Sequence, residues 1–208
     1  MKTLLVFATK KEAGHLLRNK KADILIAGPG MVSTVYNLLK KLHKKKYDLI
    51  INAGICGSFT KKFKLGDVVN VNEECFSDLG VEDGEKFSHI SVMNFSEDDF
   101  LLNKKFLKNN SVIKSKTFLS LPKAKGITVN TVHGNNNSIE KVKKIFNPGV
   151  ESMEGAAVFY VCQKEKIPYV EIRAVSNYVE KRDKRKWKIE FAIKNLNMTL
   201  KSILNEID

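Results

Sequence analysis

Short runs of consecutive apolar residues alternate, through the first part of the chain, with stretches whose apolar positions recur every three or four residues. Leu4–Ala8 reads as a strand buried on both faces, and the pattern from about Lys10 to Arg18 predicts a helix. Ile24–Ala27 is a second strand, ended by Gly28-Pro29-Gly30. A helix follows from about Met31 to Lys45, with Val32, Val35, Leu38, Leu39 and Leu42 on one face. Lysines crowd its last turn, where the negative end of the helix dipole favours them. Leu49–Gly54 makes a third strand. This alternation predicts an α/β fold, a three-layer single domain over residues 1–208 with a central mixed, largely parallel β-sheet flanked by helices.

Further along, Asp67–Asn72 alternates as a strand, whereas polar residues dominate from Glu74 to about Asn110 and no regular element is assigned there. Ile127–Val132 is strand-like and leads into His133-Gly134-Asn135. Ser138 is placed to cap a helix reaching Phe146, which Pro148-Gly149 ends. A helix poor in polar residues covers about Glu154 to Lys166, and Tyr169–Ser176 is another strand. A closing helix runs from about Trp187 to Ile203, with Ile189, Ala192, Ile193, Leu196, Leu200 and Ile203 stepping by three and four. No repeat or Pro-rich linker divides the chain.

Charge raises one rival reading. The 208 residues carry 36 basic and 23 acidic side chains, a net charge of +13. A basic nucleic-acid-binding module using the lysines at 40–46, 61–64 and 181–188 is the alternative from another class. However, only Arg18, Arg173, Arg182 and Arg185 supply the bidentate fork that phosphates and base edges favour. No interleaved aromatics make a stacking platform, so no nucleic-acid partner is expected. Cys56, Cys75 and Cys162 have neither metal-ligand nor disulfide-framework spacing, which points to free thiols and no metal site. No apolar run approaches the ~20 residues of a membrane helix, so no membrane partner and a cytoplasmic location are expected.

Ligands of parallel α/β sheets bind beyond the carboxyl ends of the strands. Thr9 to Glu12, Gly28 to Gly30, Ala53 to Phe59 and Ser176 to Tyr178 occupy such ends and should converge on one cleft. Each has an ordinary structural explanation. Gly28-Pro29-Gly30 is either a tight turn or an anion site at a helix N-terminus. Ala53–Ser58 is foremost a strand-ending loop. Glu12 offsets a helix dipole by default. Glu151-Ser152-Met153-Glu154-Gly155-Ala156-Ala157 is more distinctive. Ser152 or Glu151 would cap the next helix and Glu154 satisfy its first amides. Yet an acid beside Met and a run of Ala should be partly buried, which suits bidentate acceptance of a sugar diol. Asn177, commonly a turn residue, also has the donor and acceptor to hold a heterocycle edge.

Taken in order, these segments resemble the nucleoside phosphorylase and nucleosidase superfamily over nearly the whole chain. Glu-Ser-Met-Glu-Gly-Ala-Ala at 151–157, Ser-Asn-Tyr-Val-Glu at 176–180 and Trp187-Lys188-Ile189 look most like its futalosine hydrolase branch. The resemblance implies hydrolysis of futalosine to hypoxanthine and dehypoxanthinyl futalosine in menaquinone biosynthesis, without a cofactor. A nucleosidase for methylthioadenosine/S-adenosylhomocysteine or another purine nucleoside is the alternative. The resemblance further implies that Glu12 activates the attacking water, that Met153 and Glu154 hold the ribose, and that Ala53, Gly54 and Ile55 line the ribose and water site. Asn177 stands where adenine-specific members carry Asp, which suits a 6-oxopurine, with Arg173 orienting Asn177 from behind. His133-Gly134-Asn135 falls near the base-stacking segment, where adenine nucleosidases place an aromatic.

The phosphate-binding loops of the phosphorylases carry Arg, whereas here they carry Glu12, which repels a phosphate and polarises water instead. Because futalosine bears a carboxylate, Lys181, Arg182 or Arg185 should meet it at the mouth, although a solvated charge run is their simpler reading. The family also implies a homodimer or larger homo-oligomer, with contacts in the segment 74–110.

Overall fold

The apolar run near the N-terminus forms strand β1 (Thr3–Phe7), buried throughout because β2 (Asp23–Ile26) and β3 (Leu49–Ser58) pair with it in parallel on either side. The computed structural model describes residues 1–93, 103–109 and 111–207. Its main sheet continues through β4 (Val68–Glu74), β8 (Lys123–Thr128), β9 (Val150–Ser152) and β10 (Tyr169–Tyr178) in the order β10-β4-β8-β9-β3-β1-β2. β10 also pairs with β3, so five of these strands close into a ring. A short β7 (Leu107–Lys108) joins the β4 edge, and β5 (Gly80–Asp83) with β6 (Lys86–His89) forms a separate hairpin.

The sheet is mixed, as expected, but in place of a largely parallel layer it is partly closed. β10–β4, β3–β9 and β4–β7 are antiparallel, while the other five pairings of that sheet are parallel. The physical reason lies in residues 59–67, which are too few for a helical crossover. The chain therefore turns back after β3, and β4 runs against the β3–β10 pair.

Helices cover the sheet from both sides. α2 (Met31–Lys44) and α5 (Gly155–Lys164) pack Leu38, Leu42, Val158 and Phe159 against Leu4, Val6 and Ile50. On the other side α6 (Ile189–Glu206) buries Ala192, Leu196, Leu200 and Ile203 against Leu5, Ile51 and Ile172. Each Leu or Ile buried there contributes roughly 1.5–3 kcal/mol. Within the ring, Cys56, Val69, Val71, Ala124, Val150 and Val175 pack together with Phe63. All three cysteines are free and buried, and burial pushes each thiol well above its ordinary pKa. No helix among the described residues is long and apolar enough to cross a membrane.

Several boundaries move. The first predicted helix is one α-turn, α1 (Lys10–Ala13), followed by a 3₁₀ turn over Gly14–Arg18, because Gly14 adopts φ +49° against the Asn197 side chain. Ser138 is not the cap of α4 (Asn136–Phe146). That role belongs to Asn135, whose side chain accepts from the Ser138 amide. α3 (Lys116–Ser120) was hidden by its single turn of length. Of the polar segment 74–110, residues 94–102 and 110 lie outside the described residues.

Candidate active site

Thr9, Glu12, Pro29, Ile55, Gly57, Met153, Glu154, Ser176 and Asn177 line one cavity of about 880 Å³, completed by His133, Glu151 and the 178–189 segment. All four strand-end segments thus reach the same hollow. Their local reasons differ from those the sequence offered. β3 does not stop at Gly54 but runs unbroken to Ser58, and its glycines serve close approach. A Cβ at Gly54 would collide with Arg173 Nη1 and stand 2.8 Å from Glu12 Oε1.

Glu12 closes a capping box at the start of α1. Its Oε2 accepts from the Thr9 amide (2.9 Å) and the Thr9 hydroxyl (2.8 Å), while the Glu12 amide donates to Thr9 Oγ1 (3.2 Å). Oε1 accepts from the Ile55 amide at 3.1 Å. A carboxylate offers about four acceptor positions, so three donors leave one for a water or hydroxyl in the cavity. The cap therefore holds Glu12 rigid without exhausting it.

Glu154 sits at the N-cap of α5, but hydroxyls satisfy the helix's first amides. Ser152 Oγ accepts from Gly155, and Thr128 Oγ1 accepts from Ala156 at 2.7 Å. That frees the Glu154 carboxylate, whose Oε1 accepts from the Gly30 amide (2.9 Å) and whose Oε2 lies 3.7 Å from Arg173 Nη1. The Gly28-Pro29-Gly30 turn, with both glycines at φ +85°, thus presents its helix N-terminus to the protein's own anion.

Beneath lies a charged cluster. Arg173 and Glu171, two apart on β10, point the same way, and Arg173 Nε donates to Glu171 Oε1 at 2.6 Å. Burial opposes the guanidinium's charge, but Glu171, Glu154 and Glu12 raise its pKa above the ordinary value. The same burial raises Glu171, partly offset by Arg173. Glu74, at the end of β4, is raised well above its usual 4.5, first by burial and then by the charge of Glu171. Its Oε2 accepts from Thr128 Oγ1 (2.8 Å), and two glycines make room for it. A Cβ at Gly126 or Gly155 would collide with Glu74 Oε1. Because Glu74 keeps its proton longer folded than unfolded, it supports folding below about pH 4.5, and that support fades as pH rises through its raised folded value. Glu74→Gln should raise the urea midpoint at pH 8 and give no gain at pH 4. Equal destabilisation at both pH values would show that Glu74 is not a neutral acid.

Asn177 belongs to β10, not to a turn. A bulge between Val175 and Asn177 brings Asn177 opposite Gly57. Its Nδ2 donates to the Tyr178 carbonyl (3.1 Å) and its Oδ1 accepts from Ser176 Oγ (2.8 Å). Since a carbonyl only accepts, the amide cannot be flipped, and its second N–H remains for a ligand. His133 Nδ1 lies 2.7 Å from Glu151 Oε2, its backbone N–H donates to Glu151 Oε1 (3.2 Å), and its ring meets Phe59 edge-on.

Of the remaining expected positions, Ile55 and Met153 lie on the wall. Ala53 is fully buried in the core with Leu5 and Ala174 and lines nothing. Gly54 stands behind Glu12 and Arg173. Arg173 does not orient Asn177 as expected, because its side chain turns to Glu171 and Glu154. Lys181 and Arg182 reach the mouth, whereas Arg185 pairs with Asp183 at 2.8 Å. Glu74, Glu171 and the His133–Glu151 pair were missed. The one available signal was Glu171 and Arg173 alternating inside an otherwise apolar strand.

Residues 13–207 match the sequence model of the Phosphorylase superfamily. The chain belongs to this superfamily. Within it, the chain is 29% identical over 177 residues to futalosine hydrolase of Acidothermus cellulolyticus, covering 84% of this chain and 72% of that one. It is 26% identical over 196 residues to 5'-methylthioadenosine/S-adenosylhomocysteine nucleosidase of Buchnera aphidicola, covering 90% and 82%. The superfamily fold is shared with the corresponding nucleosidase of S. pneumoniae bound to a transition-state inhibitor (TM-score 0.81, 18% identity, all of both chains). It is shared equally with futalosine hydrolase of Helicobacter pylori (TM-score 0.80, 16% identity, 99% and 98%). With futalosine hydrolase and 5'-methylthioadenosine/S-adenosylhomocysteine nucleosidase as relatives, this superfamily member is an enzyme, an N-glycosyl hydrolase.

Proposed function

We propose that the protein hydrolyses the N-glycosidic bond of futalosine, releasing hypoxanthine, as its catalysed step in menaquinone biosynthesis. Asn177 carries the choice of base. Its fixed carboxamide offers an N–H, which suits the O6 acceptor of a 6-oxopurine and not the 6-amino group of adenine. Glu154 accepts from the ribose 2′- and 3′-hydroxyls, with Met153 against the sugar face. Ile55 closes the water side. Glu12 uses its remaining acceptor position to take a proton from the water that attacks C1′. As the bond loosens, the ribose gains oxocarbenium character, and the Glu154 carboxylate beside it stabilises that charge.

Two further features support futalosine over a smaller nucleoside. A cavity of about 880 Å³ is at the upper end of the usual range for small-ligand sites and leaves room beyond the ribose. Lys61, Lys181 and Arg182 stand on its wall, where a substrate carboxylate would find them. No cofactor or metal enters this scheme.

The test is a panel of futalosine, inosine, methylthioadenosine and S-adenosylhomocysteine, with and without phosphate, read by chromatography of the freed base. Hypoxanthine should come fastest from futalosine and independently of phosphate. Asn177→Asp should move the ratio of kcat/KM values at least tenfold towards the adenine nucleosides, about 1.4 kcal/mol. Faster adenine release by the wild-type protein ends the futalosine reading and leaves the adenine nucleosidase in its place.

A further inference from the structure

A departing purine carries away the bonding electrons of N9 and leaves readily only if its ring takes up a proton, for which N7 is the available nitrogen. An acid at position 177 would serve that need. Asn177 cannot, because a carboxamide donates hydrogen bonds but does not give up protons at neutral pH. If the base is a 6-oxopurine, as proposed above, the proton must come from another group on the same wall.

The described residues supply one candidate with the right connectivity. Glu151, Gly57 and Asn177 are direct neighbours across β9, β3 and β10 and therefore share one face of the sheet. Gly57 places no side chain between the other two, and Val179 Cγ2 also packs there, 2.9 Å from where a Cβ would stand. A Cβ added there would lie 3.2 Å from Asn177 Nδ2 and 3.5 Å from Glu151 Cγ, so the carboxamide and the acid's stem meet over a single glycine. His133 is clamped to this carboxylate twice, through its ring Nδ1 (2.7 Å) and its backbone N–H (3.2 Å). The contact assigns the Nδ1 hydrogen to Glu151 and leaves Nε2 as the exchangeable position. Among the described residues Nε2 has no partner, and His133 stands on the cavity wall. Such a carboxylate–imidazole pair fixes the tautomer and ring orientation that proton transfer requires.

We propose that His133, held by Glu151, is the general acid that protonates N7 of the leaving purine, while Asn177 Nδ2 donates to O6. These two purine atoms lie on one edge, and the two donors line one cavity, with the Glu151 that holds His133 on the same sheet face as Asn177. The C1′–N9 bond breaks and its electron pair passes into the purine. His133 acts from its imidazolium form, with hydrogen on both ring nitrogens: the Nε2 proton moves to N7, the neutral Nδ1–H imidazole stays bound to Glu151, and the base leaves neutral. Water adds its oxygen to C1′ and its proton to Glu12. Imidazole and carboxylic acid then return to their starting states by exchange with solvent.

The experiment compares two leaving groups. 4-Nitrophenyl β-D-riboside, whose phenolate departs without protonation, is assayed beside futalosine for the wild type, His133→Asn, Glu151→Gln and Glu12→Gln. For His133→Asn the loss of kcat on futalosine should exceed the loss on the nitrophenyl riboside by at least about 100-fold, the lower range of general-acid effects. Glu151→Gln should show the same split, reduced in size, and guards against a fold defect in the first variant. Glu12→Gln should lose both substrates alike. Equal losses on the two substrates for His133→Asn, or no loss on futalosine, overturn the assignment. A wild-type protein that cleaves the nitrophenyl riboside but releases no hypoxanthine overturns the futalosine reading itself, and this role of His133 with it.

Discussion

Glu12→Gln is expected to lower kcat on every nucleoside substrate by about 10²- to 10⁴-fold, with substrate binding largely retained. The argument is one of acceptor positions. Thr9 N–H, Thr9 O–H and Ile55 N–H bind both oxygens of Glu12, leaving a single position facing the cavity. An amide cannot keep those donors satisfied and still take a proton from water, since one of its two heads is itself a donor. The substitution should also cost about 1 kcal/mol through the weakened cap of α1. Steady-state kinetics beside calorimetric titration of the substrate separates chemistry from binding. Turnover within threefold of the wild type would remove Glu12 from the reaction.

The largest effect on stability should come from Arg173→Met. Glu12, Glu74, Glu154 and Glu171 are all buried around this guanidinium, and Glu171 and Glu154 contact it directly. Removing one partner of a buried ion pair costs about 3–5 kcal/mol, because the other charge stays behind without compensation. The pH dependence has a definite sign. Arg173 offsets part of the rise that burial imposes on Glu171, so its loss moves that acid further up. An acid whose folded pKa is raised supports folding below its unfolded value near 4.5, and that support is lost as pH climbs. The deficit of the variant should therefore be larger at pH 8 than at pH 5, as read from urea denaturation. A deficit under about 1 kcal/mol at pH 8 would mean that the cluster holds no net charge for Arg173 to balance.

The alternation of apolar runs and amphipathic stretches was enough to read β1, β2, α2, α5 and α6, since each pattern is written within its own residues. β3 and β10 were read too short because Gly54, Gly57 and Asn177 look like loop residues. They occupy strands for reasons supplied by other segments, namely Arg173 beside Gly54 and the bulge beside Asn177. β9, three residues long, overlaps the start of the Glu-Ser-Met-Glu motif and has no pattern of its own, and β8 begins four residues upstream of the apolar run Ile127–Val132 and shares its first two residues. The closing of the sheet has no local signature, since β3–β10 and β10–β4 join residues a hundred or more apart. The candidate site follows the same division. Glu12, Glu154 and Asn177 stand in recognisable motifs. The His133–Glu151 contact spans 18 positions and becomes visible only when β9 is laid beside β8, the strand that precedes His133.

β10 has a consequence for how such enzymes diversify. Upstream of the bulge the strand carries Glu171 and Arg173, locked to the acids beneath the cavity; downstream it carries Asn177, whose side chain, among the described residues, bonds to Ser176 and Tyr178. The irregularity between them acts as a mechanical joint. A new side chain at 177 is therefore expected to leave the guanidinium four residues earlier undisturbed.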